Sequence, residues 1–231
     1  WPAAAEKPVA SRVVKAHDGW VRAVAVSPDG TRVATGGNDR RARLWRTDDG
    51  SPERDLAGAE RDIYSLLFTP DGTSLLAGDL DGRIHQWTVA TGERTRTLEA
   101  PGLHLYEGGQ QVHYGGVRGL ALSPDGQWLV AAGLSKATNP LGNVQEPLAV
   151  RLAWKDGSVA KNHVAEGLAN HTLWGACFQP DGLLVACVGG NSGHLLFWGP
   201  DDEKPIHKFD LPVQARGLDL HQGTGKIATI H

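Results

Sequence analysis

HDGWVRAVAVSPDGTRVATGGNDRRARLW, residues His17–Trp45, sets a pattern that the rest of the chain repeats with errors. It opens with an apolar run from Val21 to Val26 and breaks at Pro28-Asp29-Gly30. It resumes from Val33 to Thr35, turns again through Gly36 to Asp39, and closes from Ala42 to Trp45. Proline presets φ at the first turn position, and Asp and Gly accept the conformations that follow, so the break is a hairpin turn between strands. No segment keeps a helical period, which argues for short β-strands throughout.

The turn recurs as Ser27-Pro28-Asp29-Gly30, Thr69-Pro70-Asp71-Gly72, Ser123-Pro124-Asp125-Gly126 and Gln179-Pro180-Asp181-Gly182, with a degenerate fifth copy at Gln222 to Gly225. The proline spacings are 42 residues (28 to 70), 54 (70 to 124) and 56 (124 to 180), so the base unit is near 42 residues. That period belongs to propellers and solenoids. Three strands recur in each unit. The first set is RAVAVS, YSLLFT, RGLALS, WGACFQ and RGLDLH, the second RVATG, SLLAG, WLVAA, LLVAC and KIATI, the third RARLW, RIHQW, VRLAW and HLLFW. Both faces of most of these strands are apolar, with alternation in size rather than polarity, as in twisted sheets stacked face to face. A more polar strand follows each third one, as at Glu53 to Ala57 and Glu93 to Leu98, and is expected to face solvent.

A length of 231 residues suits one large β domain or two small ones, and 30 Gly with 13 Pro, dispersed, fit a chain that turns often. The formal charge of −3 provides no global attraction to nucleic acid, and no apolar run reaches the ~18 to 20 residues of a membrane helix. A soluble protein with a cytoplasmic default is expected, the compartment being otherwise open. Cys177 and Cys187 each sit in an apolar strand-like run and read as buried free thiols.

At the level of these repeats the chain resembles the WD-repeat β-propeller family, in the form with Ser-Pro-Asp-Gly turns found in bacterial members. The resemblance implies an all-β propeller of four-stranded antiparallel blades: four complete blades plus partial blades at both ends. One propeller would span 1–231, with repeats near 15–57, 58–98, 112–164, 168–211 and an incomplete 212–231. Trp1 then looks like the end of a preceding third strand, and the chain is expected to be part of a longer, monomeric propeller. The family's hydrogen-bonded tetrad maps onto His17, Thr35, Asp39 and Trp45. Later units erode it. The second has Ala59 and Ala77, keeping Asp81 and Trp87, so Asp81 is expected to have no network to complete. The third keeps His113 but has Ala131. The fourth has Cys187, Asn191 or Ser192, and Trp198, with His171 out of register.

Catalytic and metal motifs are weak. Gly223-Thr224-Gly225-Lys226 lacks the Ser or Thr and the upstream Gly of a phosphate loop, since Ile227 follows the Lys, and it reads as a hairpin turn. The ten histidines show no metal spacing: His104 and His113 lie in a loop without CxxC or HExxH context. No catalytic residue, cofactor or metal site is assigned.

Departures from the period fall at two corners, Glu99 to Val112 and Leu134 to Pro147, and both would crown one face of the third blade, opposite the proline turns. Long loops of this kind are more often functional or mobile than structural. Asn139-Pro140 and Leu141-Gly142-Asn143 suggest turns, and Leu103, Leu105, Tyr106 and Leu141 offer apolar groups to anchor the loops or meet a partner. On the same face, six residues before each turn proline or its equivalent, stand Arg22, Tyr64, Arg118, Trp174 and Arg216. Two residues earlier stand Trp20, Asp62, Gly116, Thr172 and Gln214. In the family these positions look up from the innermost strand and often contact peptides, and Arg, Tyr and Trp dominate interface hot spots. The expected binding face is therefore Trp20, Arg22, Tyr64, Arg118, Trp174 and Arg216. The expected function is a noncatalytic scaffold for a protein or peptide, acidic or phosphorylated, with neither nucleic acid nor membrane as partner. The alternatives are a ligand-binding or enzymatic central channel, for which Asp62 and Asp219 are the candidate carboxylates, and a sensor domain attached to a catalytic or redox domain.

Overall fold

The computed structural model describes residues 12–109, 111–137, 145–221 and 224–230. Regular structure among them is entirely β. The first blade consists of β1 (Val21–Val26), β2 (Arg32–Gly37), β3 (Ala42–Arg46) and β4 (Pro52–Leu56). The second is β5 (Ile63–Phe68), β6 (Ser74–Asp79), β7 (Arg83–Thr88) and β8 (Arg94–Glu99). A two-stranded hairpin, β9 (His104–Glu107) and β10 (Val112–Gly115), precedes the third blade of β11 (Val117–Leu122), β12 (Trp128–Ser135), β13 (Glu146–Ala153) and β14 (Val159–Val164). The fourth blade is β15 (Thr172–Phe178), β16 (Leu184–Gly189), β17 (Gly193–Trp198) and β18 (His207–Leu211), followed by a two-stranded sheet of β19 (Gly217–His221) and β20 (Lys226–Ile230). Within each blade the strands pair antiparallel in chain order. The inner strands pack β1 on β5, β5 on β11, β11 on β15 and β15 on β19, so the sheets form a β-propeller of four blades with partial sheets beside them.

The cores lie between blades rather than within one. In β6, Leu75 and Ala77 face the first blade while Leu76 faces the third. In β12, Leu129 and Ala131 face the second blade while Val130 and Ala132 face the fourth. That is the strand period of two with both faces apolar. Where no further sheet of the described residues covers a face the same residue types are exposed: Val24 is 62% and Val26 59% accessible on β1. Inner strands approach most closely where side chains vanish. A Cβ on Gly119 of β11 would lie 2.9 Å from the Cα of Gly175 on β15, inside contact distance.

The first three copies of the turn share one construction, and the fourth, which starts at Gln179, lacks its hydroxyl. The Gly30 amide donates to the Ser27 carbonyl (2.8 Å), the Arg32 amide donates to Ser27 Oγ (2.9 Å), and the Thr31 amide donates to Asp29 Oδ1 (3.0 Å). Gly30 takes φ +70°, which an L side chain resists, and Gly72, Gly126 and Gly182 occupy the same place with positive φ.

The first insertion, expected as a loop without secondary structure, is the β9–β10 hairpin. Leu105 and Tyr106 on one side of Gly108-Gly109 and Val112 and Tyr114 on the other supply strand formers around a turn. Leu103 is fully buried between the second and third blades, whereas Leu105 and Tyr106 are exposed. At the second insertion β12 and β13 are lengthened to 8 residues each. Asn139, Pro140, Leu141, Gly142 and Asn143, like Trp1 and the turn residues Gln222 and Gly223, lie outside the described residues.

In the first blade the four tetrad residues form one chain. The Trp45 indole donates to Thr35 Oγ1 (2.9 Å), Thr35 Oγ1 meets His17 Nε2 (2.8 Å), and His17 Nδ1 meets Asp39 Oδ1 (2.7 Å). Arg43 Nη1 adds a bond of 2.7 Å to Asp39 Oδ2. Burial alone would raise the Asp39 pKa, but the hydrogen bonds from Arg43 and His17 outweigh it and hold the carboxyl down at about 2.

Two predictions follow from this packing. Gly119→Ala forces the third and fourth blades apart at their inner strands and is expected to cost about 1–3 kcal/mol, read from denaturant midpoints. Asp39→Ala is expected to cost about 1–3 kcal/mol near neutral pH. Its folded pKa lies below the unfolded value of ~3.9, so the carboxylate's contribution is complete above that pH and is lost as pH falls through about 2. The gap between wild type and variant should narrow over that window, and a constant gap contradicts the network.

Candidate binding face

The residues expected to look up from the inner strands owe their direction to a recurring irregularity. The register of the two innermost strands slips between Val21 and Ala23, between Ile63 and Ser65, between Val117 and Gly119, and between Leu173 and Gly175. Arg22, Tyr64, Arg118 and Trp174 are therefore the extra residues of four β-bulges. A bulge leaves one residue unpaired and re-aims its side chain. Arg216 stands one residue before β19, its amide bonded to the Ile230 carbonyl (2.8 Å).

These side chains meet in an alternating row of cations and rings. The Arg22 guanidinium carbon lies 4.7 Å from the Trp20 ring centroid and 5.3 Å from that of Tyr64. Arg118 lies 3.7 Å from Tyr64 and 5.6 Å from Trp174, and Arg216 lies 6.0 Å from Trp174. Each spacing is within cation–π range. All six candidate residues thus join one row, from exposed Trp20 to exposed Arg216, with Arg118 half-buried at its centre. Five of them, all but Trp20, line a cavity of about 540 Å³ at the mouth of the channel. Among the described residues no carboxylate lies within ion-pair distance of Arg22, Arg118 or Arg216. Arg22 Nε donates to Asn38 Oδ1 (2.9 Å) and Arg118 Nη2 to the Gly115 carbonyl (2.6 Å). Burial lowers the Arg118 pKa, Tyr64 opposes that, and neighbouring Arg22 adds to it.

Asp62 and Asp219 do not converge on the cavity. Asp62 accepts from Asn38 Nδ2 (2.7 Å) and Asp219 from the Leu220 amide (2.8 Å). Neither lines the channel mouth, whose lining includes no carboxylate or histidine among the described residues. The two insertions do meet: His104, Leu105 and Tyr114 of the hairpin share a cavity of about 370 Å³ with Leu134, Lys136 and Glu146. Through Gly115 the hairpin also holds Arg118.

Two expectations about the eroded tetrads need correction. Asp81 does have partners: Arg61 Nε donates to its Oδ2 (3.0 Å), and His104 Nε2 and His113 Nδ1, hydrogen-bonded to each other (2.9 Å), stand 3.4 and 3.3 Å from its Oδ1 without bonding to it. His113 thus serves the second blade's aspartate from the inserted hairpin instead of starting a tetrad in the third. His171 is also engaged. Its Nε2 meets Ser192 Oγ (2.9 Å), which meets His194 Nε2 (2.8 Å), and His194 Nδ1 meets Asp210 (2.8 Å). The repeat period hides the first because its imidazoles come from the inserted hairpin, and the second because His171 stands nine residues before its turn proline where His17 stands eleven. The cysteines are free, and burial pushes both thiols up to about 12, which leaves them unreactive.

Since Asp81 joins Arg61 to the hairpin, Asp81→Ala is expected to destabilise by about 1–3 kcal/mol, comparable with Asp39→Ala rather than clearly less. Hydrogen exchange should show the added opening in β9 and β10. A loss under half that of Asp39→Ala, with unchanged hairpin exchange, contradicts the assignment.

The family model for the WD domain, G-beta repeat, matches residues 8–46, 50–88 and 108–137. The second match runs from the outer strand β4 of one blade through β5, β6 and β7 of the next, so sequence repeat and structural blade are offset by one strand. Three consecutive matches on sheets arranged as propeller blades identify WD repeats in this chain, and propellers built from such repeats commonly serve as protein-interaction scaffolds.

Proposed function

We propose that the chain is a noncatalytic interaction module whose cation–ring row holds an extended acidic or phosphorylated segment of a partner protein across the channel mouth. The observation that carries this reading is the set of three arginines set among aromatic rings, with no carboxylate of the described residues in ion-pair reach. Guanidinium groups stay charged at any relevant pH and grip carboxylate or phosphate oxygens with a planar fork, while the rings supply apolar area at low entropic cost. Arg22 and Arg118 share the Tyr64 ring, and Arg22 weakens the hold of Arg118 on its proton, so an anion seated there relieves like-charge repulsion. Nucleic acid suits the face less well, because a few arginines on a chain of net charge −3 lack a broad basic field. An enzymatic channel would need acids or histidines at its mouth, and the lining side chains are cationic, aromatic and apolar apart from Ser65, whose hydroxyl is spent on the Val117 carbonyl.

The test uses fluorescence anisotropy with Glu-rich and phosphoserine peptides against Lys-substituted counterparts. The acidic peptides are expected to bind in a salt-dependent way. Arg22→Glu with Arg216→Glu, both at exposed positions, should weaken binding by about 2 kcal/mol or more, roughly 30-fold, at unchanged thermal stability. Asp125→Asn, in a turn on the opposite face, should leave it unchanged. Equal binding by the arginine variants would move the partner surface elsewhere.

A further inference from the structure

The Asp81, His104 and His113 cluster has a geometry that hydrogen bonding leaves incomplete. His104 and His113 lie on one face of the β9–β10 hairpin, where His113 pairs with Tyr106 and His104 with Gly115. The Tyr106 ring sits 4.7 Å from that of His113 and fixes its position. Asp81 comes from the turn between β6 and β7, held by its amide bond to Asp79 Oδ1 (2.9 Å). One oxygen of Asp81, Oδ2, accepts from Arg61. The other, Oδ1, is buried without a hydrogen-bond partner and faces both imidazoles.

The three inward atoms form a nearly equilateral triangle. His104 Nε2 and His113 Nδ1 are 2.9 Å apart, and Asp81 Oδ1 is 3.4 and 3.3 Å from them. A cation ~2.1 Å from each of three ligands separates them by ~3.0 Å at right angles and ~3.4 Å at tetrahedral angles. The observed edges cover that interval. We propose that Asp81 Oδ1, His104 Nε2 and His113 Nδ1 form a binding site for a divalent transition-metal ion of the zinc class, clamping the inserted hairpin to the second blade. Two imidazoles and a carboxylate suit such ions, and three protein ligands leave a further position for water. Arg61 takes the outer-sphere role, orienting the carboxylate through Oδ2. Metal on His113 Nδ1 requires the remaining proton on Nε2, so the Arg61 Nη2 contact to that nitrogen, 3.3 Å without metal, is given up. Because the Gly115 carbonyl of the hairpin accepts from Arg118, the clamp also steadies the centre of the binding face.

Zinc alone is the probe. Chain stripped with a chelator is titrated with Zn²⁺ against a chromophoric competitor, with melting temperature followed in parallel. One equivalent is expected to bind with a rise in melting temperature that chelator reverses. His113→Ala and, separately, Asp81→Asn, which keeps the side-chain shape, should each weaken binding at least tenfold, while His171→Ala leaves it intact. Far-UV circular dichroism establishes that each variant is folded, and X-ray absorption of the zinc form should show nitrogen and oxygen ligands with two imidazoles. No zinc bound by wild type, or equal affinity in wild type and Asp81→Asn, overturns the site.

Discussion

Face-to-face burial of twisted sheets is the constraint on which this molecule depends. Each blade must present an apolar surface on both sides, because the cores lie between neighbours: Leu75 and Ala77 look one way and Leu76 the other. Alternation in size answers that demand without alternation in polarity. It also sets the inner radius, since β11 and β15 approach so closely at Gly119 and Gly175 that there is no room for a methyl group. A bulge at the start of the innermost strand recurs in all four blades, and it is what delivers Arg22, Tyr64, Arg118 and Trp174 to a common edge.

With stability resting on apolar contact, polar networks inside the blades have been free to diverge. The first blade joins indole, hydroxyl, imidazole and carboxylate in one chain. In the second, the Trp87 indole bonds instead to the Ala57 carbonyl (3.1 Å), and fully buried Asp79 pairs with His85 (2.8 Å). The fourth has Cys187 where a hydroxyl would accept, and the Trp198 indole nitrogen is buried without a partner. Leaving one such donor unpaired costs about 1–3 kcal/mol, which the apolar burial of the Trp198 ring against the third blade can offset.

Much of this was legible from residues alone. The proline turns located the strand pairs, apolar patterning announced sheets covered on both sides, and a constant six-residue offset from the turn proline picked out the row on the upper edge. Cation–ring stacking was not legible, because it depends on bulges that shift each side chain by a fraction of a strand spacing. The hairpin at His104–Glu107 was hidden by its shortness, and its histidines by the distance in sequence to Asp81, which a different blade supplies. His171 looked out of register because it stands nine residues before its turn proline where His17 stands eleven, yet it still reaches Ser192. Contacts across blade boundaries have no fixed spacing, so a period cannot reveal them.

The central claim is that the bulge-borne row, and not the proline-turn edge, is where a partner docks. Hydrogen–deuterium exchange of the chain, free and with an acidic peptide bound, reads that surface without mutation. Slowed exchange is expected in the backbone around Arg22, Tyr64, Arg118, Trp174 and Arg216, with the turns at Asp29, Asp71, Asp125 and Asp181 unchanged. Protection confined to those turns, or to the outer strands, would contradict the account.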